Sequence, residues 1–239
     1  MEALPHLLLF DIDGTLLNTG GAGMRAFGSA FEHLYPDEVK GRGGVPDIDF
    51  AGSTDSGIVM GMFAQLGIVD SQGERERFYE TYLGLLKANM DSPSGNGSLL
   101  EGVAELLERL KGYYREGKVL PGLLTGNIAA GARVKTDHYG VSENFHFGAY
   151  GDDHHDRDQL GPVAVRRASD FFGRDLSLAP VTVIGDTVKD IRCARAFGAR
   201  VLAVATGSVS LCELSGHEPD ILLENLGDVA GVLAQLQLS

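Results

Sequence analysis

From residue 101 onward the chain alternates helical patterns with short apolar runs, and that alternation restricts the fold more than any other feature. Strands are expected near 118–125, 145–149, 180–185, 200–205 and 220–223, and helices near 101–111, 128–138, 160–173, 189–197 and 226–236. Such alternation implies an α/β fold, with a parallel sheet covered by helices on both faces. Residues 7–10, a continuous apolar run ending at Asp11, read as one further buried strand. In sheets of this kind ligands bind at the carboxyl ends of the strands. One stretch fits poorly. Pro121-Gly122 interrupts the run leading to Thr125, so that strand is either bulged or begins at Leu123.

Between residues 17 and 92 the pattern changes to helical segments at 24–34, 56–66 and 74–89, separated by loops at 41–46 and 92–98 (SPSGNGS). This stretch reads as a helical insertion, 17–92, in a core made of 1–16 and 93–239, with the Gly/Ser loop as one hinge. The chain has 239 residues, of which 44% are hydrophobic and 22% charged, so it can bury a core and is not a disordered chain. No apolar run is long enough for a transmembrane helix, and 7–10 lacks the basic leader of a secretory signal. Two cysteines, Cys193 and Cys212, make no disulfide framework, which fits a cytoplasmic protein. With 20 Lys and Arg against 33 Asp and Glu, a net charge of −13 disfavours nucleic acid as a partner. An anionic substrate then needs local help from a cation.

Three strand ends carry chemistry. The first is Asp11-Ile12-Asp13-Gly14-Thr15. Two carboxylates this close repel unless a cation lies between them, and magnesium prefers oxygen ligands. Gly14 permits a sharp turn. A strand-terminal turn with solvated aspartates is the competing reading. The second is Thr125-Gly126-Asn127, where a hydroxyl and the following amides can hold an anion or merely cap a helix. The third ends in Gly185-Asp186, with Asp190 four residues on, so that two carboxylates on one helical face can look at one point. Together they deliver small polar and acidic residues to one edge of the sheet.

These motifs resemble those of the haloacid-dehalogenase superfamily, in particular members with a helical cap between the first two, such as the phosphoglycolate phosphatases. The resemblance covers essentially the whole chain. It implies a Rossmann-like, doubly wound parallel sheet with an inserted all-helical cap closing over it. It also implies a magnesium-dependent phosphatase in which Asp11 is the nucleophile and Asp13 the general acid and base. Magnesium would be held by Asp11, the Asp13 carbonyl and Asp186, with Asp190 in support. Thr125, with Gly14, Thr15, Gly126 and Asn127, would surround the transferring phosphoryl group. The family's basic residue normally stands in a Lys-Pro setting absent from this chain. Arg157 lies at the equivalent distance before Gly185-Asp186, with Arg166 and Lys135 as fallbacks.

In the insertion, Gly52-Ser53-Thr54-Asp55 resembles the substrate loop of such phosphatases, although Thr54 or Asp55 as a helix cap explains it equally. Arg25 and Arg42 read as surface residues, and the histidines of Asp152-Asp153-His154-His155-Asp156 as poor joint metal ligands whose rings diverge. Dehalogenase and phosphonatase chemistry are disfavoured by Asp13. A phosphosugar mutase is the alternative, and a non-catalytic binding or regulatory protein on this fold a second one. The expected partner is a small phosphorylated metabolite, phosphoglycolate-like or a sugar phosphate, with no membrane, and the protein is expected to be a monomer or homodimer.

Overall fold

The computed structural model describes residues 3–47, 49–92 and 96–238. The chain begins with β1 (His6–Phe10) and β2 (Leu17–Asn18), then runs through four helices, α1 (Ala22–Leu34), α2 (Pro36–Arg42), α3 (Asp55–Leu66) and α4 (Gln72–Met90). It returns through β3 (Ser98–Leu99) to α5 (Val103–Arg115), β4 (Val119–Leu124), α6 (Ala129–His138), β5 (Gly148–Ala149) and α7 (Leu160–Phe172). The last stretch is β6 (Val181–Gly185), α8 (Val188–Ala196), β7 (Arg200–Val204), α9 (Leu211–Ser215), β8 (Ile221–Leu223) and α10 (Val229–Gln235). Six strands form one parallel sheet in the order β5-β4-β1-β6-β7-β8, the α/β core that the alternation implied.

Because β1 is central, it needs apolar residues on both faces. Leu8 and Phe10 pack on one side with Leu106 and Leu110 of α5 and Val232 of α10. Leu7 and Leu9 pack on the other with Leu160 and Ala164 of α7 and Ile191 of α8. Strand β4 runs unbroken through Pro121, which pairs with Leu8 in register. It is neither bulged nor delayed to Leu123. The Pro121 carbonyl accepts a bond from His146 on the β5 side, and β5 pairs only from Leu123 onward, so the missing proline N–H interrupts no rung. Gly122 is required by its neighbour, since a Cβ there would run into the Phe147 ring.

The four helices between β2 and β3 surround a core of their own, built on Phe27, Phe31, Phe63, Phe78 and Tyr82, all essentially fully buried. Phe78 sits in its middle, 4.4 Å from Phe31 and 5.1 Å from Phe27 between ring centroids. Helix α2 lies where the sequence reading placed no helix. Pro36 at its first turn and Gly43 at φ 89° after its end are the start and stop signals that mark it. The chain leaves and re-enters the sheet domain through an antiparallel ribbon, Leu17 against Leu99 and Asn18 against Ser98. The hinge expected at 92–98 overlaps this return, although residues 93–95 of it lie outside the described residues. Among the described residues no helix is long and apolar enough to cross a membrane.

Candidate active site

Strand β1 delivers Asp11 to the carboxyl edge of the sheet between β4 and β6, its N–H bonded to the Ile184 carbonyl at 2.9 Å. Asp11 is buried, and its carboxylate is bonded by the Thr125 hydroxyl. Burial pushes its carboxyl up to about 6, against the pull of Arg157, with Asp190 and Asp13 adding to the rise. The chain then turns at Gly14, whose φ of 80° and whose missing Cβ let the backbone lie against the Asp186 carboxylate. Thr15 donates to Asp186 Oδ1 at 3.1 Å. Thr206, beyond the end of β7, donates to the Gly14 carbonyl at 2.5 Å and so fixes the turn from the far side.

Asp186 follows β6, and burial, Asp190 and Asp11 push its carboxyl up to about 8. It precedes α8 rather than lying on it, so the two acids do not share a helical face as the spacing implied. They converge nonetheless. Carboxylate oxygens of Asp11, Asp186 and Asp190 lie within 4.8 Å of one another, and all three residues are buried. Such a set of hard oxygens, brought together out of solvent, fits a divalent cation. Asp190 contributes least directly, because its oxygens have protein partners. Its Oδ2 accepts from the Thr187 N–H at 2.9 Å and hydroxyl at 2.7 Å in a capping box, while Oδ1 is paired with Arg157.

Arg157 sits in a single 3-10 turn (Arg157–Gln159) before α7 and is 5% exposed. One terminal nitrogen, Nη2, lies 3.3 Å from Asp11 Oδ1 and pairs with Asp190; the other donates to the Gly52 carbonyl at 3.0 Å. Burial draws the guanidinium down, but Asp190 and Asp11 outweigh it and hold it above its ordinary value. The expected basic residue therefore lies beside Asp11, whereas Arg166 is exposed on α7.

Lys135 does something else. The residue is 4% exposed, and its ammonium donates to Asp13 Oδ2 and to Asn127 Oδ1, both at 2.6 Å. Asn127 in turn donates to Asp13 Oδ2 at 2.8 Å and to the Thr125 hydroxyl at 2.9 Å. Asn127 lies just before α6 and Lys135 inside it, so the loop that leads into the helix and the helix itself hold Asp13 together. The remaining Asp13 side chain, 43% exposed, faces a cavity of about 460 Å³ that also touches Asp11, Gly14, Thr125 and Gly126.

Of the loop at residues 52–55, Gly52, Ser53 and Asp55 line this cavity and Thr54 does not. Thr54 caps α3 by accepting from the Gly57 N–H and donates to the His155 carbonyl at 2.6 Å. Asp55 accepts from the Ile128 N–H at 2.9 Å and donates its own N–H to the Gly126 carbonyl at 2.7 Å, so it ties the helical unit to the second motif. Burial pushes its carboxyl up to about 7 despite Lys135. Thr15 and Asp190 likewise stand behind the cavity rather than on its wall. Arg25 bonds the Gly20 carbonyl at the surface, and Arg42 is exposed. The rings of His154 and His155 stack at 4.5 Å instead of diverging, and neither joins a metal-type cluster among the described residues. Thr206, Gly207 and Ser208 line the cavity unforeseen. Their signal was a fourth strand end, β7, followed by Thr-Gly-Ser.

A family model described as haloacid dehalogenase-like hydrolase matches residues 8–204. A search of curated proteins by sequence finds no match. Among solved structures, a predicted phosphoglycolate phosphatase from Haemophilus somnus 129PT is 18% identical with a TM-score of 0.64, covering 97% of this chain and 99% of that one. CbbY from Rhodobacter sphaeroides, solved with phosphate, is 19% identical with a TM-score of 0.67, covering 98% and 100%. A candidate β-phosphoglucomutase from Thermotoga maritima is 18% identical with a TM-score of 0.58, covering 98% and 100%. At these identities the structures share the fold, and the family match spans both the helical unit and the motif-bearing strand ends. The chain therefore belongs to the haloacid dehalogenase-like hydrolases.

Proposed function

We propose that this chain is a magnesium-dependent phosphomonoester hydrolase that works through a phosphorylated Asp11 on a small phosphorylated metabolite, with residues 17–92 as its cap. The observation that carries the reading is the company of Asp11: a guanidinium at 3.3 Å, the Thr125 hydroxyl, a converging acidic cluster, and Asp13 at the mouth of the same cavity. Asp11 and Asp186 would hold the magnesium ion with the Asp13 carbonyl, and Asp190 would act by fixing Arg157. Bound there, the ion supplies charge neutralisation that lets a phosphoryl dianion approach a carboxylate.

In the first step an Asp11 oxygen attacks phosphorus, the bond to the leaving oxygen breaks, and Asp13 gives that oxygen its proton. Arg157 and the donors around Thr125 and Gly126 stabilise the equatorial oxygens, where charge is spread in the transition state. The Nε of Arg157 is buried without a protein partner, an open donor beside the nucleophile. In the second step a water attacks phosphorus, Asp13 takes its proton, and the bond to Asp11 breaks. Lys135 and Asn127 both bond Asp13 Oδ2, which holds the carboxyl in one rotamer and leaves Oδ1 toward the cavity.

The test is hydrolysis of p-nitrophenyl phosphate by wild type and Asp11→Asn, with magnesium and with chelator. Turnover that needs both magnesium and Asp11 is expected. Equal turnover by the variant, or none by wild type across a panel of phosphomonoesters, would remove the reading.

A further inference from the structure

Besides β1, β4 and β6, strand β7 delivers residues to the cavity. It runs beside β6 in parallel register, with Gly185 opposite Ala203, and Thr206-Gly207 follows its end. That places the pair next to Asp186. A methyl on Gly207 would overlap Asp186 Oδ2 and lie 2.7 Å from its Cγ and 3.2 Å from its Cβ. A methyl on Gly14, in the turn after β1, would overlap the same oxygen. The other oxygen, Oδ1, accepts from the Thr15 hydroxyl at 3.1 Å. Thr206 donates to the Gly14 carbonyl at 2.5 Å and so ties the two glycine walls to each other.

The two glycines differ in one respect. Gly14 has a φ of 80°, so its backbone calls for glycine whatever lies beside it. Gly207 has no left-handed φ, and the three atoms nearest to an added methyl all belong to the Asp186 side chain. Its missing side chain answers to that carboxylate alone. An aspartate side chain can swing where backbone cannot, so a methyl at 207 displaces the carboxylate before it disturbs the fold. Asp186 is also one of the three acids whose oxygens converge within 4.8 Å. Walled at Oδ2 and bonded at Oδ1, its carboxylate is held in one orientation and has little freedom left to lose when it takes a cation.

We infer that Thr206 and Gly207 are positioning residues for Asp186 as a metal ligand. Gly207 leaves the space its carboxylate occupies, and Thr206 holds the Gly14 turn against the same carboxylate. The inference rests on the reading of Asp11 and Asp186 as magnesium ligands and adds to it a fourth strand end.

The experiment titrates magnesium alone into the chelator-stripped full chain at pH 8 by calorimetry, for wild type, Gly207→Ala, Thr206→Val and Thr206→Ser. The unfolding midpoint of each is measured in chelator. Gly207→Ala is expected to raise the Kd for magnesium by at least about tenfold, the scale seen when the groups that orient a metal ligand are disturbed. Its midpoint in chelator is expected to stay within about 4 °C of wild type. Thr206→Val, which loses the donor, is expected to raise the Kd by about threefold or more, and Thr206→Ser, which keeps it, to stay within about twofold of wild type. An unchanged Kd in Gly207→Ala overturns the role of Gly207. So does a midpoint that collapses in chelator, because the fold and not the carboxylate has then yielded. Equal Kd values for Thr206→Val and Thr206→Ser overturn the role of the Thr206 hydroxyl. A wild type that binds no magnesium removes the magnesium reading and this inference with it, whereas a wild type that binds it no better than every variant removes the inference alone.

Discussion

Replacing Arg157 by methionine keeps most of the side-chain volume and removes one buried charge. In the native chain the guanidinium pairs with Asp190, lies 3.3 Å from Asp11 and bonds the Gly52 carbonyl of the helical unit at 3.0 Å. Asp11 and Asp190 are 4% and 0% exposed, so neither can turn to water when its partner is gone. Breaking a buried pair by removing one member costs about 3–5 kcal/mol, because the other charge is left uncompensated. For a chain of this size each kcal/mol moves the unfolding midpoint by roughly 2–4 °C, which predicts a loss of about 6–20 °C. The assay is thermal and urea unfolding in chelator at pH 8 and pH 5. The penalty must shrink at the lower pH, since protonating the stranded carboxyls removes the charge that creates it. Adding Asp190→Asn should recover part of the loss for the same reason. A methionine variant within about 0.5 kcal/mol of wild type at pH 8 would refute the reasoning, because surface substitutions already fall in that range.

Three further outcomes are expected. In chelator the native state holds protons on Asp11 and Asp186, with carboxyls near 6 and 8, that the unfolded chain has lost. Stability must therefore fall as pH rises from about 4 through 8, and the stabilisation by added magnesium must grow over the same window; a calorimetric pH series in both conditions checks the sign. Gly14→Ala places a methyl against the Asp186 carboxylate at a left-handed φ, which costs roughly 1–2 kcal/mol for the backbone alone and should weaken magnesium binding measured by titration. Phe78→Ala empties the middle of the helical core and should cost about 3–5 kcal/mol, visible as faster amide exchange in α1 and α4 before β1 and β6.

The sheet was legible because β1 and its neighbours are buried on both faces and leave a continuous apolar trace, as in residues 7–10. The candidate site was legible because Asp11, Asp13, Asp186 and Thr125 all stand at or just after the ends of such traces. Local sequence said less where long-range geometry decides. Lys135 stood only as a fallback for the basic residue beside Asp11, and nothing in α6 itself shows that its ammonium reaches Asp13, 122 residues earlier in the chain. Thr54 carried both a loop motif and a capping signal, and capping describes its contacts. The β2–β3 ribbon is two residues per strand, too short to produce an alternating pattern. Pro121 misled for the opposite reason. The rule against proline in central strands assumes a partner along the whole edge, and β5 is too short to supply one.

The most direct test of a phosphorylated Asp11 is to quench the magnesium-loaded protein during turnover of a radiolabelled phosphomonoester and map the label by peptide sequencing. An acid-stable, hydroxylamine-labile phosphoryl group is expected on the peptide carrying Asp11, lost in Asp11→Asn and accumulating when Asp13→Asn slows its hydrolysis. Turnover without any labelled protein, or label on a different residue, would contradict it.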